Sequence, residues 1–143
     1  MTQVLLISLA LSAPAAPELS ITLQFLRDKA GVSYSIENGS KKDVVFSTRW
    51  DFLQIVASHN GETRYLSTFY RGVDNARLGV RSMITLAPRA MLVGEVKFHS
   101  APQKGEQVFL QLSPVTSGAV DRIAKDEVSF LLSKVCKSNV ISF

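Results

Sequence analysis

The chain of 143 residues has the length of a single domain, and it is long enough to bury a hydrophobic core. Hydrophobic residues make up 46% of it and charged residues 20%, a balance that excludes a disordered polypeptide. The formal net charge is only +4, and the adjacent basic pair Lys41-Lys42 falls in a turn region. Because nucleic-acid-binding domains concentrate positive charge in one run or on one face, we do not expect a nucleic-acid partner.

Residues 4–16 form an apolar run without charge. At about 13 residues the run is short for a membrane span, but it has the length of the hydrophobic region of a secretory signal. Small residues at 10–12 resemble a cleavage site, although no Lys or Arg precedes the run. We therefore predict that residues 1–17 are a signal peptide and lead-in, which implies a secreted or periplasmic protein without a transmembrane segment. If residues 4–16 are instead a buried strand, we expect a cytoplasmic protein.

The pattern after Pro17 is typical of β-structure. Apolar residues at alternate positions predict half-buried strands over residues 19–25 and 32–36, with a further strand at 44–46. Between the last two, Asn38-Gly39 predicts a hairpin turn, because both residues tolerate the positive φ of a type I′ turn. The polar residues that follow leave a longer loop as the alternative.

More short strands follow, and turn signals such as His59-Asn60-Gly61 separate them. They are predicted at residues 48–58, 62–70, 83–88, 90–100 and 107–115. The strand predicted at 83–88 ends in Pro88. Because proline cannot donate a hydrogen bond to a ladder, this residue marks a strand end or an edge strand. Within the strand at 90–100, we expect Val96 and Phe98 to face the same way.

Residues 121–137 fit two patterns. They can be a helix, or a short helical turn near 119–126 followed by a strand through Val128, Phe130 and Leu132. We favour the strand, because the preceding short strands need a partner. Cys136 is the only cysteine, so the chain has no internal disulfide, and its apolar surroundings predict a buried, unreactive thiol.

Seven to eight short strands at a spacing of about 8–12 residues predict an all-β, antiparallel sandwich over residues 18–143. The stretch "VSYSIENGSKKDVVFSTRWDFLQIV", with "HNGE" and "MITLAP" after it, resembles extracytoplasmic immunoglobulin-like domains and the intracellular proteinase inhibitor family. Those proteins place a glycine after the proline of "xLxP", where this chain has Arg89. The resemblance implies an immunoglobulin-like sandwich and carries over no binding residue.

Few residues suggest chemistry. His59 and His99 have no second histidine or cysteine at ligand spacing, so we expect no metal and no cofactor. A G-x-S-x-G elbow is absent, and we predict that the protein is not an enzyme; a small hydrolase using His59 or His99 is an alternative. Asn38-Gly39-Ser40 matches a glycosylation sequon, but the turn explains the same residues.

A basic and aromatic segment near the middle of the chain is the predicted binding surface. Its candidate residues are Tyr65, Tyr70, Arg71, Arg77 and Arg81. Aromatic anchors among arginines suit an acidic protein, a glycan or an anionic lipid. The alternative is that the aromatics lie in the core and the arginines solvate strand edges. Trp50 likewise is either a core residue or an exposed stacking platform.

These observations predict a non-catalytic, exported, immunoglobulin-like domain that binds a protein or glycan, with addition of a strand at a sheet edge as one mode of binding. The alternative is a proteinase inhibitor that acts through an exposed loop, for which residues 72–79 are the candidate.

Overall fold

The computed structural model describes residues 18–49, 51–67, 83–115 and 130–143. Within these ranges the chain forms strands and turns and no helix, so the predicted all-β class is confirmed for them. No helix among the described residues is long and apolar enough to cross a membrane. The strands are β1 (Leu19–Phe25), β2 (Gly31–Asn38), β3 (Val44–Ser47), β4 (Leu53–His59), β5 (Glu62–Tyr65), β6 (Met83–Leu86), β7 (Met91–Lys97), β8 (Gln107–Leu112), β9 (Cys136–Lys137) and β10 (Ile141–Ser142).

These strands build three sheets in which all pairs are antiparallel. The first sheet has the order β1-β2-β7. The second has the order β10-β8-β4-β5, and β9 also pairs with β8. The third joins β3 to β6. Sequence neighbours are therefore not always sheet neighbours, since β7 returns to lie beside β2.

The predicted alternation of side chains is confirmed in β1. Leu19, Ile21 and Leu23 are buried, whereas the intervening Ser20 and Thr22 are exposed. Because successive side chains of a strand point to opposite faces, a single apolar series is enough to attach the strand to the core. The face of the first sheet that carries the serine and threonine side chains is left to solvent.

One hydrophobic core receives the inner side chains of all three sheets. Its largest fully buried members include Phe46 from the third sheet, Ile36 from the first and Ile55 from the second. Burial of each such side chain contributes about 1.5–3 kcal/mol to stability. Val96 and Phe98 are half-buried against this core, as the alternation within residues 90–100 predicts.

The predicted hairpin at Asn38-Gly39 is wrong. β2 pairs with β1 and β7, whereas β3 pairs with β6, so the residues on either side of this dipeptide enter different sheets. Asn38 is fully buried, and its Nδ2 donates to the carbonyls of Lys42 and Leu86 at 2.8 Å each, while its Oδ1 accepts from the N–H and hydroxyl of Ser40. The asparagine is here because its amide ties two sheets together, and its burial also excludes it as a glycosylation site in this fold.

The turn predicted at Asn60-Gly61 is confirmed. It joins β4 to β5 as a two-residue loop between the paired residues His59 and Glu62. Asn60 has φ 51° and Gly61 has φ 81°, the positive values that a type I′ turn needs at both central positions.

The C-terminal part differs from the predicted strand. Phe130 and Leu132 are not in a strand, and Leu131 makes a single parallel bridge to Val45. The reason is that this segment bonds to a single residue of β3. Val45 N–H donates to Phe130 O, and Leu132 N–H donates to Val45 O. Cys136 begins the short β9 and is buried, as predicted, and burial raises the pKa of its thiol.

The signal peptide predicted at residues 1–17, the short helix near 119–126 and the position of Trp50 fall outside the described residues.

Candidate functional site

Of the five predicted binding residues, the described part of the chain contains Tyr65. Tyr65 ends β5 with 50% of its surface exposed, and the next residue, Leu66, is fully buried. Tyr70, Arg71, Arg77 and Arg81 lie outside the described residues, as does the candidate inhibitory loop at 72–79. Tyr65 is thus accessible, as a binding residue must be, whereas the assembly of the predicted surface stays a prediction.

The two histidines lie in different environments. His59 is exposed and lines a depression of about 360 Å³ together with Glu62, Arg64 and Glu106. Its Nδ1 lies 3.2 Å from the carbonyl of Gly105, and its Nε2 lies 3.1 Å from the side-chain nitrogen of Asn60. A neutral imidazole with the proton on Nδ1 satisfies both contacts, so both ring nitrogens are already used.

The carboxylate in this depression is also engaged. Glu106 is buried and accepts two hydrogen bonds from Arg64, at 2.9 Å from Nε and 2.6 Å from Nη2, and one from the N–H of Gln103 at 2.6 Å. These donors, above all the Arg64 side chain, hold the pKa of Glu106 below its usual range. An ionised carboxylate held by a bidentate arginine is suited to fixing β5 against the loop before β8 rather than to moving a proton.

His99 is exposed, and its backbone N–H donates to the carbonyl of Leu66 at 2.7 Å. Within the described ranges, no three histidine, cysteine or acidic side chains cluster in a way that could hold a metal ion. The structure thus brings one histidine beside carboxylates, but both ring nitrogens of His59 and both oxygens of Glu106 already have partners.

The two outer strands of the first sheet provide a different kind of site, because the outer edge of a sheet carries backbone groups without ladder partners. In β1 the hydrogen bond from Gly39 N–H to Glu18 O sets the alternation, so that Leu19, Ile21 and Leu23 direct their backbone groups away from β2. The side chain of Asn139 binds this edge as a strand does: its Oδ1 accepts from Leu23 N–H at 2.7 Å, and its Nδ2 donates to Leu23 O at 3.0 Å.

Two more contacts lie beside β1. The short strand β9, which begins with Cys136, packs next to it, and the carboxylate of Glu18, the residue before β1, accepts from the N–H and hydroxyl of Ser133. Between this edge and residues 133–137 runs a groove of about 580 Å³. The C-terminal segment therefore covers part of the edge of β1 through a side chain, without forming a ladder with it.

The opposite edge, along β7, has no such cover from any described residue. Phe98 N–H donates to Ala30 O, and Asn38 N–H donates to Ala90 O, so the even-numbered residues of β7 bond to β2. Hydrogen-bonded and non-hydrogen-bonded residue pairs alternate along an antiparallel ladder. The N–H and C=O groups of every second residue of β7 therefore point away from β2. Those residues are Met91, Val93, Glu95 and Lys97.

The side chains of the β7 edge are unusual for an exposed strand. Met91 is 57% and Val93 71% exposed, which makes Val93 the most exposed large hydrophobic residue of the described chain. Edge strands are usually protected by charges, and only the second half of β7, with Glu95 and Lys97, has them.

The inner side of β7 is only half-covered as well. Leu92 and Val96 are partly buried, and a Cβ at Gly94 would lie 2.4 Å from the hydroxyl oxygen of Tyr34, so the tyrosine ring occupies the space beside the glycine. β7 therefore lies at the margin of the core. It exposes outward backbone groups and the apolar side chains of Met91 and Val93. Sequence analysis predicted this strand but not its edge position, although Pro88 just before it is the kind of residue that marks an edge.

Comparison of the chain with protein-family models, with curated proteins and with solved structures finds no match.

Proposed function

We propose that this protein is a non-catalytic, exported, immunoglobulin-like domain that binds another protein by accepting an extended segment of it as an additional strand beside β7. The observation that carries the proposal is the outer edge of β7, where four residues direct backbone donors and acceptors outward and two of them, Met91 and Val93, have exposed apolar side chains. Backbone hydrogen bonds supply affinity in this mode of binding, and the alternate side chains supply specificity. A polypeptide is favoured over a glycan because it offers the complementary row of N–H and C=O groups.

The order of the strands supports an immunoglobulin-like sandwich. In such sandwiches one sheet contains strands A, B, E and D in that order, and strands G, F, C and C′ are neighbours in the other. A strand D would lie beside β7 and precede it in the chain, where residues 68–82 are outside the described ones, so amide exchange along β7 also tests this point. The first sheet has the same order if β1, β2 and β7 take the places of A, B and E. The second sheet matches if β4, β5, β8 and β10 take those of C, C′, F and G. Shared burial of the inner faces in one core is in keeping with this arrangement.

Export is proposed on the apolar run at residues 4–16. The same run supports a location outside the cytoplasm, where a non-catalytic domain with an accessible sheet edge can meet other polypeptides. The two other functions considered have less support. The inhibitory loop is outside the described residues, and both ring nitrogens of His59 are already engaged.

The test is a pair of substitutions at one position of the edge. Val93→Pro removes an N–H that points away from β2, so it deletes an edge donor without deleting a ladder bond. Val93→Thr keeps the N–H and a β-branched side chain. We expect Val93→Pro to reduce capture of binding proteins from a native extract by about tenfold relative to Val93→Thr, with both variants folded.

Amide hydrogen exchange of the free protein provides a test that needs no partner. The amides of Leu92, Gly94 and Val96 donate to β2 and should exchange slowly, whereas those of Val93 and Glu95 should exchange rapidly. Uniformly slow exchange along β7 would mean that the chain itself covers the edge, and the proposed mode of binding would then be wrong.

A third variant separates this edge from the basic segment. Arg71→Ala combined with Arg77→Ala alters two of the predicted binding residues and leaves β7 intact. If the β7 edge is the site, this double variant captures the same proteins as the unaltered chain. If capture is lost here and retained in Val93→Pro, the binding surface is the basic segment and not the edge.

A further inference from the structure

The outer edge of β7 has a polarity that restricts which segment can pair with it. Its first two outward residues, Met91 and Val93, are apolar, and its last two, Glu95 and Lys97, carry opposite charges. Lys97 has one weak ionic contact, 3.9 Å from Asp28, and both side chains are more than 60% exposed, so its ammonium group can still bind a carboxylate. The inference drawn from this polarity rests on the proposed function and adds the chemistry of the partner.

A second copy of this chain does not satisfy the edge. In an antiparallel pair centred on Gly94, each copy would place Lys97 opposite Met91 and Glu95 opposite Val93, so that charges face apolar side chains. In the pair centred on Val96, Glu95 faces Lys97 of the other copy, but Met91 and Val93 lie beyond the paired strands. In the pair centred on Leu92, Met91 faces Val93, but Glu95 and Lys97 then lie beyond the paired strands. None of these three antiparallel registers matches the charges and covers the apolar half together.

We infer that the partner segment is an extended strand, antiparallel to β7, with an acidic residue opposite Lys97, a basic residue opposite Glu95 and apolar residues opposite Val93 and Met91. From its N-terminus the segment then has acidic, basic, apolar and apolar residues at alternate positions. Antiparallel pairing is chosen because its ladder is slightly more stable than a parallel one and because every strand pair of the described sheets is antiparallel.

The intervening residues of the segment are uncharged. They would continue the inner face of the first sheet, beside the half-buried Leu92 and Val96 and the ring of Tyr34. A charge placed there would lie next to apolar surface without a partner, which costs free energy, whereas threonine or valine would cover that surface.

The probe is a pair of capped seven-residue peptides of identical composition. The matched peptide reads glutamate, threonine, lysine, valine, valine, threonine, valine, and the swapped peptide exchanges the glutamate and the lysine. Titration is followed by the amide signals of β7 in nuclear magnetic resonance spectra of the full chain. We expect the matched peptide to bind about fivefold more tightly, because two opposite-charge pairs replace two like-charge pairs, and its advantage should shrink as salt is raised.

Reversing the charges of the domain provides the control. In the double variant Glu95→Lys with Lys97→Glu, the swapped peptide should become the tighter ligand by a similar factor. A charge change one strand further in, Glu37→Lys on β2, lies opposite Met91 and not opposite the charged half of β7, so it should leave the preference for the matched peptide in place. Loss of preference in the double variant without inversion would overturn the inference.

The outcomes separate the inference from the proposed function. If both peptides slow the exchange of the Val93 and Glu95 amides and bind equally, strand addition stands and the charge pattern of the partner is wrong. If neither peptide slows that exchange, the inference and the proposed mode of binding both fail. If the same amides become protected on concentrating the protein alone, the occupant is a second copy, and the inference is wrong.

Discussion

The two outer strands of the first sheet, β1 and β7, flank the same central strand, β2, but their outer edges differ. Every second residue of each directs its N–H and C=O away from β2. Along β1 the groups of Leu23 bond to Asn139, and β9 and a groove lie beside the strand, whereas no described residue bonds to the outer groups of β7.

The difference shows that a side chain can bond to the backbone groups at a sheet edge without another strand. One asparagine side chain offers the same donor and acceptor pair as a peptide group, so Asn139 binds Leu23 as a ladder residue would. Among the described residues, a side chain covers part of one edge, whereas the other edge keeps its apolar residues exposed, which is the asymmetry expected if β7 is kept accessible for a partner.

The largest effect should come from separating β7 from the sheet. In Gly31→Ala the added Cβ would lie 2.3 Å from the carbonyl oxygen of Val96, which is backbone and cannot rotate away. We expect a loss of about 3 kcal/mol in the free energy of unfolding, measured by denaturant titration. Gly39→Ala is the control, since a Cβ there meets nothing within 4 Å, and its effect should be below about 0.5 kcal/mol. Equal losses in both variants would contradict the tight β2–β7 contact.

A smaller effect should follow at β5, an outer strand of the second sheet that is held by charge. Glu106→Gln removes an ionised acceptor from Arg64, and we expect a loss of about 2 kcal/mol near neutral pH. The pKa of Glu106 is lowered in the folded protein, so its contribution is complete above the unfolded value of about 4.3 and is lost as the pH falls through the folded-state pKa. The stability difference between wild type and Glu106→Gln should therefore shrink below about pH 4. A difference that stays constant with pH would show that the ion pair does not stabilise β5.

Next is the opening of the covered edge by Asn139→Ala. The variant loses both bonds to Leu23, and because Asn139 is itself exposed, water can replace part of them, so we expect a loss of about 1 kcal/mol. The exchange of the Leu23 amide should accelerate relative to wild type at the same pH, and the loss of stability should not depend on pH, in contrast to Glu106→Gln. Asn139→Asp keeps an acceptor for Leu23 N–H and loses the donor to Leu23 O, so it should fall between wild type and Ala. Unchanged exchange at Leu23 in Asn139→Ala would mean that another group covers β1.

The sequence predicts strands better than it predicts their neighbours, and the two Asn-Gly dipeptides show why. At Asn60-Gly61 the local conformation decides the outcome, since positive φ at both residues closes a hairpin. At Asn38-Gly39 a long-range contact decides it, because the buried amide binds the carbonyl of Leu86, 48 residues away, and neither residue has positive φ. Local propensity carries no information about that bond.

The candidate site has the same limitation. Alternating residues within 90–100 predict the strand, and Pro88 is consistent with an edge, but the open edge of β7 depends on which strands β2 pairs with. That pairing joins residues far apart in the chain and is absent from any short pattern. The position after Pro88 is also not settled by the local sequence. The resembling families have glycine there, whereas Arg89 of this chain has φ 65°, a positive value that glycine adopts more readily.

The smallest change in stability should come from charging the open edge, where a change in association is expected instead. Val93→Lys places a charge on an exposed side chain that contacts little, so the free energy of unfolding should change by less than about 0.5 kcal/mol. Because lysine on an edge strand discourages strand addition, the matched peptide should bind more weakly in the titration followed by the amide signals of β7. Thr22→Lys adds the same charge to the same outer face, but on β1 and two strands away from the bound peptide, and should change peptide binding much less. If the two variants behave alike, net charge and not the accessible edge of β7 controls association.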